Sequence, residues 1–185
     1  MLDKLASINR SAWFWGGLIF VCIALELGAL YYQYVLDYLP CVLCIHIRIW
    51  VVAIMFAAII GFFLRKSRPG LIIANLLILT ATLGMVERSY IVLGTERGWV
   101  DGSCGDLVTG LPSWFALDKW VPAMFEPLES CGLTPWVIPQ FMSMAEVLML
   151  FAVALLLLMT IFTLGSFFYS KPGVGGHDHR TDPEY

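Results

Sequence analysis

Four long apolar stretches leave this chain few ways to fold. Trp13 to Tyr32, Cys41 to Leu64, Leu71 to Leu93 and Met144 to Phe168 are mostly apolar. Each is near or above the roughly 20 residues that an α-helix needs to cross a bilayer core. Of 185 residues, 59% are hydrophobic and 14% charged, and the mean hydropathy is +0.81. That balance is too apolar for a soluble domain of this length. The expected fold is an all-α membrane protein, a four-transmembrane-helix bundle over residues 1–170. Net charge is −3, with no basic cluster that would bind nucleic acid.

The expected spans are 13–32, 41–64, 71–93 and 144–168, joined on one side by loops 33–40 and 94–142. The first is too long for a signal-peptide core and lacks a convincing cleavage pattern, so it reads as an uncleaved span. Tyr31, Tyr32, Tyr34 and Tyr38 form an aromatic belt at its far end. Residues 171–185 are rich in Gly, Pro and charge and read as a disordered cytoplasmic tail. The tail's His177-Asp178-His179 reads as solvated chain rather than a metal site. Lys4 and Arg10, the Arg65/Lys66/Arg68 turn, and Lys171 and Arg180 all fall on one side of this layout. The 94–142 loop carries two positive charges (Arg97, Lys119) against six negative (Glu96, Asp101, Asp106, Asp118, Glu126, Glu129). The positive-inside rule then places both termini in the cytoplasm. Within the long loop, Trp114, Leu117 and Val121 are helically spaced, with Ser113 as a candidate cap. They predict a short interfacial helix, with a small extramembrane core as the alternative.

This layout puts four of the five cysteines, Cys41, Cys44, Cys104 and Cys131, on the outer side, where disulfides persist. Cys22 is left mid-membrane as a small packing residue. The second span opens with Pro40-Cys41-Val42-Leu43-Cys44-Ile45-His46-Ile47-Arg48. On a helix, Cys41, Cys44 and Arg48 are spaced i, i+3 and i+7 and share one face. The positive end of the helix dipole and the Arg48 charge both favour negative charge on the Cys44 sulfur. That suits a reactive dithiol. A zinc site would need a second ligand pair of similar spacing, which is missing, and haem attachment would need His directly after Cys44. A purely structural cysteine pair stays open.

Three charges lie inside the spans at similar depth: Glu26, Arg48 and Arg88. Such charges face a bundle interior and find partners. Two compatible readings follow, an ion pair that positions helices and a polar pocket beside Cys44 for a small electron acceptor.

Taken together, three motifs resemble the DsbB family of quinone-dependent disulfide-forming proteins of the bacterial inner membrane. They are Pro-Cys-Val-Leu-Cys with Arg48 downstream, the run Ala24-Leu25-Glu26-Leu27, and Leu117-Asp118-Lys119-Trp120-Val121-Pro122 before a loop cysteine. The resemblance covers about residues 10–170. It implies a four-helix bundle with a long periplasmic loop, a DsbA-like periplasmic thiol partner, and a bound quinone (ubiquinone or menaquinone) without metal. By position it makes Cys41 and Cys44 the quinone-linked pair, Cys104 and Cys131 the loop pair, and Arg48 a quinone-site residue, with Glu26 and Arg88 as further candidates. One departure stands out: family members often carry a His near the outer end of the third span, and residues 71–103 contain none. Glu87 and Arg88 occupy that neighbourhood.

The implied chemistry is thiol–disulfide exchange followed by two-electron transfer to the quinone. A partner thiolate attacks Cys104, Cys131 then attacks Cys41, and Cys44 is freed beside Arg48. Two other readings stay open from the sequence. One is a non-enzymatic four-span scaffold with structural disulfides, and the other a reductive four-span thiol oxidoreductase similar to vitamin K epoxide reductase.

Overall fold

The computed structural model describes residues 7–100, 117–127, 136–138 and 141–168. Cys104, Cys131, Ser113, Trp114 and the 171–185 tail lie outside the described residues. Four long helices make up the frame: α1 (Ala12–Tyr34), α2 (Val42–Leu64), α3 (Arg68–Glu96) and α6 (Met144–Phe168). All four are long and apolar enough to cross a membrane. Within lipid every backbone polar group must be satisfied by the chain itself, which a continuous helix achieves.

The helix limits follow from local chemistry. Ser11 caps α1, its Oγ accepting from the Trp13 N–H at 3.3 Å. Past α1 the chain reverses through Asp37, whose φ of 54° lies in the left-handed region that Asp tolerates better than most residues. α3 begins at Arg68, three residues before the expected span, because Pro69 is well suited to a first helical turn. It runs on to Glu96, three residues past the expected end, and stops where Gly98 takes a φ of 70°. There the Gly98 N–H reaches the Thr95 carbonyl at 3.2 Å and the Trp99 N–H reaches Gly94 at 2.8 Å. These are the paired bonds of a Schellman stop.

α2 packs against α1 on one side and α3 on the other, and α3 packs in turn against α6. The α1–α6 seam is closed at the end away from Cys41. There the Phe14 and Phe162 rings meet edge-on at 4.7 Å, and the Asn9 amide donates to Ser166 Oγ at 3.0 Å. Trp15 is fully buried at this end, its indole N–H donating to the Asn9 carbonyl at 2.7 Å. Its ring lies so close to Gly61 that a Cβ there would collide with it. Phe20, Phe56, Phe63 and Leu157 point outward and are more than half exposed. An apolar exterior of this kind fits lipid rather than water.

At the cysteine end, α3 and α6 are tied together by a polar cluster. Ser143 and Glu146 form a reciprocal capping box: Ser143 N–H donates to Glu146 Oε2 at 3.0 Å, and Glu146 N–H to Ser143 Oγ at 3.3 Å. Ser143 Oγ also donates to Glu96 at 3.0 Å, and Arg97 is ion-paired with Glu146. The long loop departs from expectation in two ways. Among its described residues, the helical segment is two single turns, α4 (Leu117–Trp120) and α5 (Pro122–Phe125), rather than one helix. Pro122 accounts for the break, since it has no N–H to continue α4. In addition, β1 (Trp136–Ile138) and β2 (Met142–Ser143) pair as a small antiparallel hairpin just before α6.

Candidate functional site

Cys41 is the N-cap of α2, with extended backbone angles (φ −82°, ψ 163°) and a sulfur that accepts from the Cys44 N–H at 3.2 Å. The amides at a helix start need acceptors, and here a sulfur fills the place usually taken by a Ser or Asp oxygen. The sequence reading directed the helix start at the Cys44 sulfur. The structure aims this first-turn amide at Cys41 instead. The two cysteines are joined by a disulfide, with Cα atoms 5.1 Å apart, well inside the range such a bond spans. Cys41 is 5% exposed and Cys44 is half-buried.

Cys44 lines a cleft of about 820 Å³, counted out to its mouth, between the cysteine ends of the four long helices. α1 contributes Leu25 and Glu26, and α2 contributes Cys44, Ile47 and Arg48. Val92 of α3 and Leu148 of α6 complete apolar walls. Clefts with few polar groups on apolar walls are typical of small-molecule sites.

Arg48 is 8% exposed and is held by three neutral oxygens. Its Nη1 donates to Gln33 Oε1 at 2.7 Å and to the Met124 carbonyl at 2.9 Å, and its Nη2 to the Ala29 carbonyl at 3.1 Å. A guanidinium has five N–H groups, so two remain beyond these three bonds on a side chain that lines the cleft. Glu26 is also 8% exposed, and its Oε2 is buried without a hydrogen-bond partner. The expected ion pair between Glu26 and Arg48 or Arg88 is not formed among the described residues. Arg48 instead reaches Ala29 and Gln33. Ala29 lies about 4.5 Å further along the helix axis than Glu26 at 1.5 Å per residue. Arg88 is not brought to the cleft. It sits at the edge of the buried stripe formed by Met85, Ser89 and Val92, with its Nε 3.7 Å from the exposed carboxylate of Glu87.

The structure also brings in residues that the sequence reading missed. Gln33 is 7% exposed and links α1 to the loop, accepting from Arg48 and donating to the Ala123 carbonyl at 3.2 Å. Tyr34 OH donates to the same carbonyl. Together with the Arg48–Met124 bond, these contacts hold α5 over the bundle end, with Phe125 buried beneath. Gln33 lies seven residues after Glu26, on the same helix face. That spacing was the available signal.

A disulfide at a helix start, beside an apolar cleft between four helices long enough to span a membrane, agrees with comparisons to known proteins. The family model described as Disulfide bond formation protein DsbB matches residues 10–162. The chain belongs to the DsbB family. It is 34% identical over 125 residues to Disulfide bond formation protein B 2 of Pseudomonas aeruginosa, covering 66% of this chain and 70% of that one. With Disulfide bond formation protein B of Pasteurella multocida it shares 31% identity over 160 residues, covering 86% and 88%. The counterpart from Shewanella denitrificans is 26% identical over 171 residues, covering 92% and 97%. As a DsbB-family protein, the chain is a multi-pass membrane disulfide oxidoreductase of the bacterial disulfide-forming system.

Proposed function

We propose that this protein reoxidises a DsbA-like periplasmic dithiol protein and passes the electrons to a membrane quinone. The bilayer would be the bacterial inner membrane, with both termini cytoplasmic and the cysteines periplasmic. The observation that carries the reading is that Cys44 shares one apolar-walled cleft with Arg48 and the unpartnered carboxyl of Glu26. A flat apolar ring bearing two polar oxygens matches that lining. Cys44, Arg48 and Glu26 would hold it, with Ile47, Val92 and Leu148 packing its faces. A bound quinone supplies a two-electron sink that no side chain here provides.

The chain's own residues do the exchange chemistry. A partner thiolate attacks Cys104, forming a mixed disulfide and releasing Cys131 as thiolate. Cys131 then attacks Cys41, so that Cys44 is the leaving sulfur, next to the cleft and one helical turn above Arg48. A sulfur better able to carry negative charge leaves faster. Cys41 is 5% exposed and capped by the Cys44 amide, so this attack requires the first turn of α2 to open. Arg48, anchored through Ala29, Gln33 and Met124, keeps a fixed positive charge beside the departing sulfur. The partner's second thiolate attacks its bond to Cys104, so the partner leaves as a disulfide and Cys104 is freed. Cys104 then attacks Cys131, which re-forms the loop disulfide and releases Cys41 as a thiolate. The Cys41/Cys44 dithiol so produced gives up two electrons and two protons, which a bound quinone would accept, and the Cys41–Cys44 bond is restored.

The test is to purify the chain, identify any quinone extracted with it, and measure partner oxidation against quinone consumed. One disulfide made per quinone reduced is the expected result. Cysteines that stay oxidised when reduced partner is added without quinone, in protein that consumes no quinone when it is supplied, would instead make the disulfides structural.

A further inference from the structure

We infer that Glu26 is the proton-exchanging side chain of the acceptor cleft. This rests on the quinone reading above and extends it to a residue whose part in the reaction is otherwise undefined. Glu26 is 92% buried, lines the cleft, and leaves Oε2 without a hydrogen-bond partner. Leaving a buried polar atom unmatched is costly and demands an explanation. The obvious structural one, an ion pair with Arg48, is absent, since Arg48 is engaged by Gln33, Ala29 and Met124. Oε2 is closed off in the observed side-chain position, while Glu26 itself lines the cleft. Rotating the carboxyl into the cleft would offer a ligand oxygen as the partner that Oε2 lacks.

The chemistry needs such a group. Oxidation of the Cys41/Cys44 dithiol forms one S–S bond and releases two electrons and two protons. All four are required to convert a quinone to its hydroquinone. Glu26 gives its proton to a ring oxygen as the O–H bond there forms, and the resulting carboxylate takes up the proton of the thiol being oxidised. The second proton equilibrates with water at the mouth of the cleft. The other titratable or charged groups that line the cleft are Tyr32 of α1, Tyr38 of the connecting loop, and Cys44 and Arg48 of α2. α3 and α6 face it with apolar side chains alone. Among the described residues, Glu26 is thus the one carboxyl lining the cleft.

The test uses Glu26→Gln, which keeps the shape and hydrogen-bonding reach but cannot exchange a proton. With ubiquinone-1 as probe, its maximal rate of quinone reduction should fall about 100-fold. The apparent KM should stay near that of the unaltered protein, and exchange between the two cysteine pairs should be unaffected. Glu26→Asp should restore part of the rate with a displaced pH profile. A second readout needs no variant. Dicyclohexylcarbodiimide, which labels carboxyl groups in apolar surroundings, should modify Glu26, as mapped by mass spectrometry, and ubiquinone-1 should protect it. Wild-type rates in Glu26→Gln at every pH, or labelling of Glu26 that ubiquinone-1 does not reduce, overturn the inference while the function reading stands. Unaltered protein that oxidises its partner and consumes no quinone overturns both.

Discussion

Replacing Gln33 with Leu should release the loop from the bundle. Gln33 makes two bonds across the interface: it accepts from the Arg48 guanidinium at 2.7 Å and donates to the Ala123 carbonyl at 3.2 Å. A hydrogen bond to a charged group contributes about 1.5–3 kcal/mol and a neutral one about 0.5–1.5 kcal/mol. Tyr34 still reaches Ala123 and Arg48 still reaches Met124 in the variant, so the loss of docking energy should fall near the low end, about 2 kcal/mol. A change of that size raises the undocked population about 30-fold. The assay is limited trypsinolysis in detergent, following cleavage after Lys119, which is exposed on α4. Cleavage that is slow relative to reclosing tracks the open population. Cleavage after Lys119 should therefore accelerate by more than tenfold. Cleavage after Lys66, in the turn at the opposite end of the bundle, should not change. Equal rates at Lys119 in both proteins would show that Gln33 does not hold the loop. So would a rate in the unaltered protein already at that of an unfolded peptide.

Arg48→Gln should weaken the apparent affinity for quinone and slow its reduction, with Arg48→Lys intermediate because a lysine keeps the charge but not the planar fork. Steady-state kinetics against quinone concentration checks this, and wild-type values in Arg48→Gln would remove Arg48 from the site. Ser143→Ala should cost about 1–2 kcal/mol, because it breaks the capping box of α6 and the bond to Glu96. Ser143→Thr should keep most of that stability, as read by chemical denaturation in detergent. In a Cys44→Ser, Cys104→Ser double variant, Cys41 and Cys131 should join in one disulfide detectable after proteolysis. If both thiols stay free under oxidising conditions, electrons move between the pairs by another route.

Hydropathy placed the helices closely because membrane crossing leaves little freedom: about 20 apolar residues must be helical. The limits of α3 were less legible. Arg68-Pro69-Gly70 read as a turn and became a helix start, and Gly98, visible in the sequence, set an end that hydropathy placed at Leu93. Pro122 was equally visible, yet the apolar periodicity across Trp114, Leu117 and Val121 concealed the break it makes. At the site, the helical spacing of Cys44 and Arg48 placed both on the face of α2 that lines the cleft, with Cys41 at the helix cap beside them. Partner choice was not legible. Depth alone matched Glu26 with Arg48 and Arg88, whereas Arg48 found neutral oxygens on α1 and a distant loop, and Arg88 stayed at the edge of its stripe beside Glu87. Backbone carbonyls such as those of Ala123 and Met124 carry no sequence signature. Only the tertiary fold reveals them as acceptors.

The most direct test is to locate the acceptor. A photoreactive azidoquinone added to the membrane-embedded protein and activated by light should label peptides from Leu25–Ala29 of α1, Cys44–Val51 of α2 and Met144–Leu148 of α6. Excess ubiquinone should suppress that labelling. If electrons leave through the cleft beside Cys44, those three segments carry the label. Labelling confined to the opposite end of the bundle or to the outward-facing residues Phe20, Phe63 and Leu157, or labelling unaffected by ubiquinone, would contradict it.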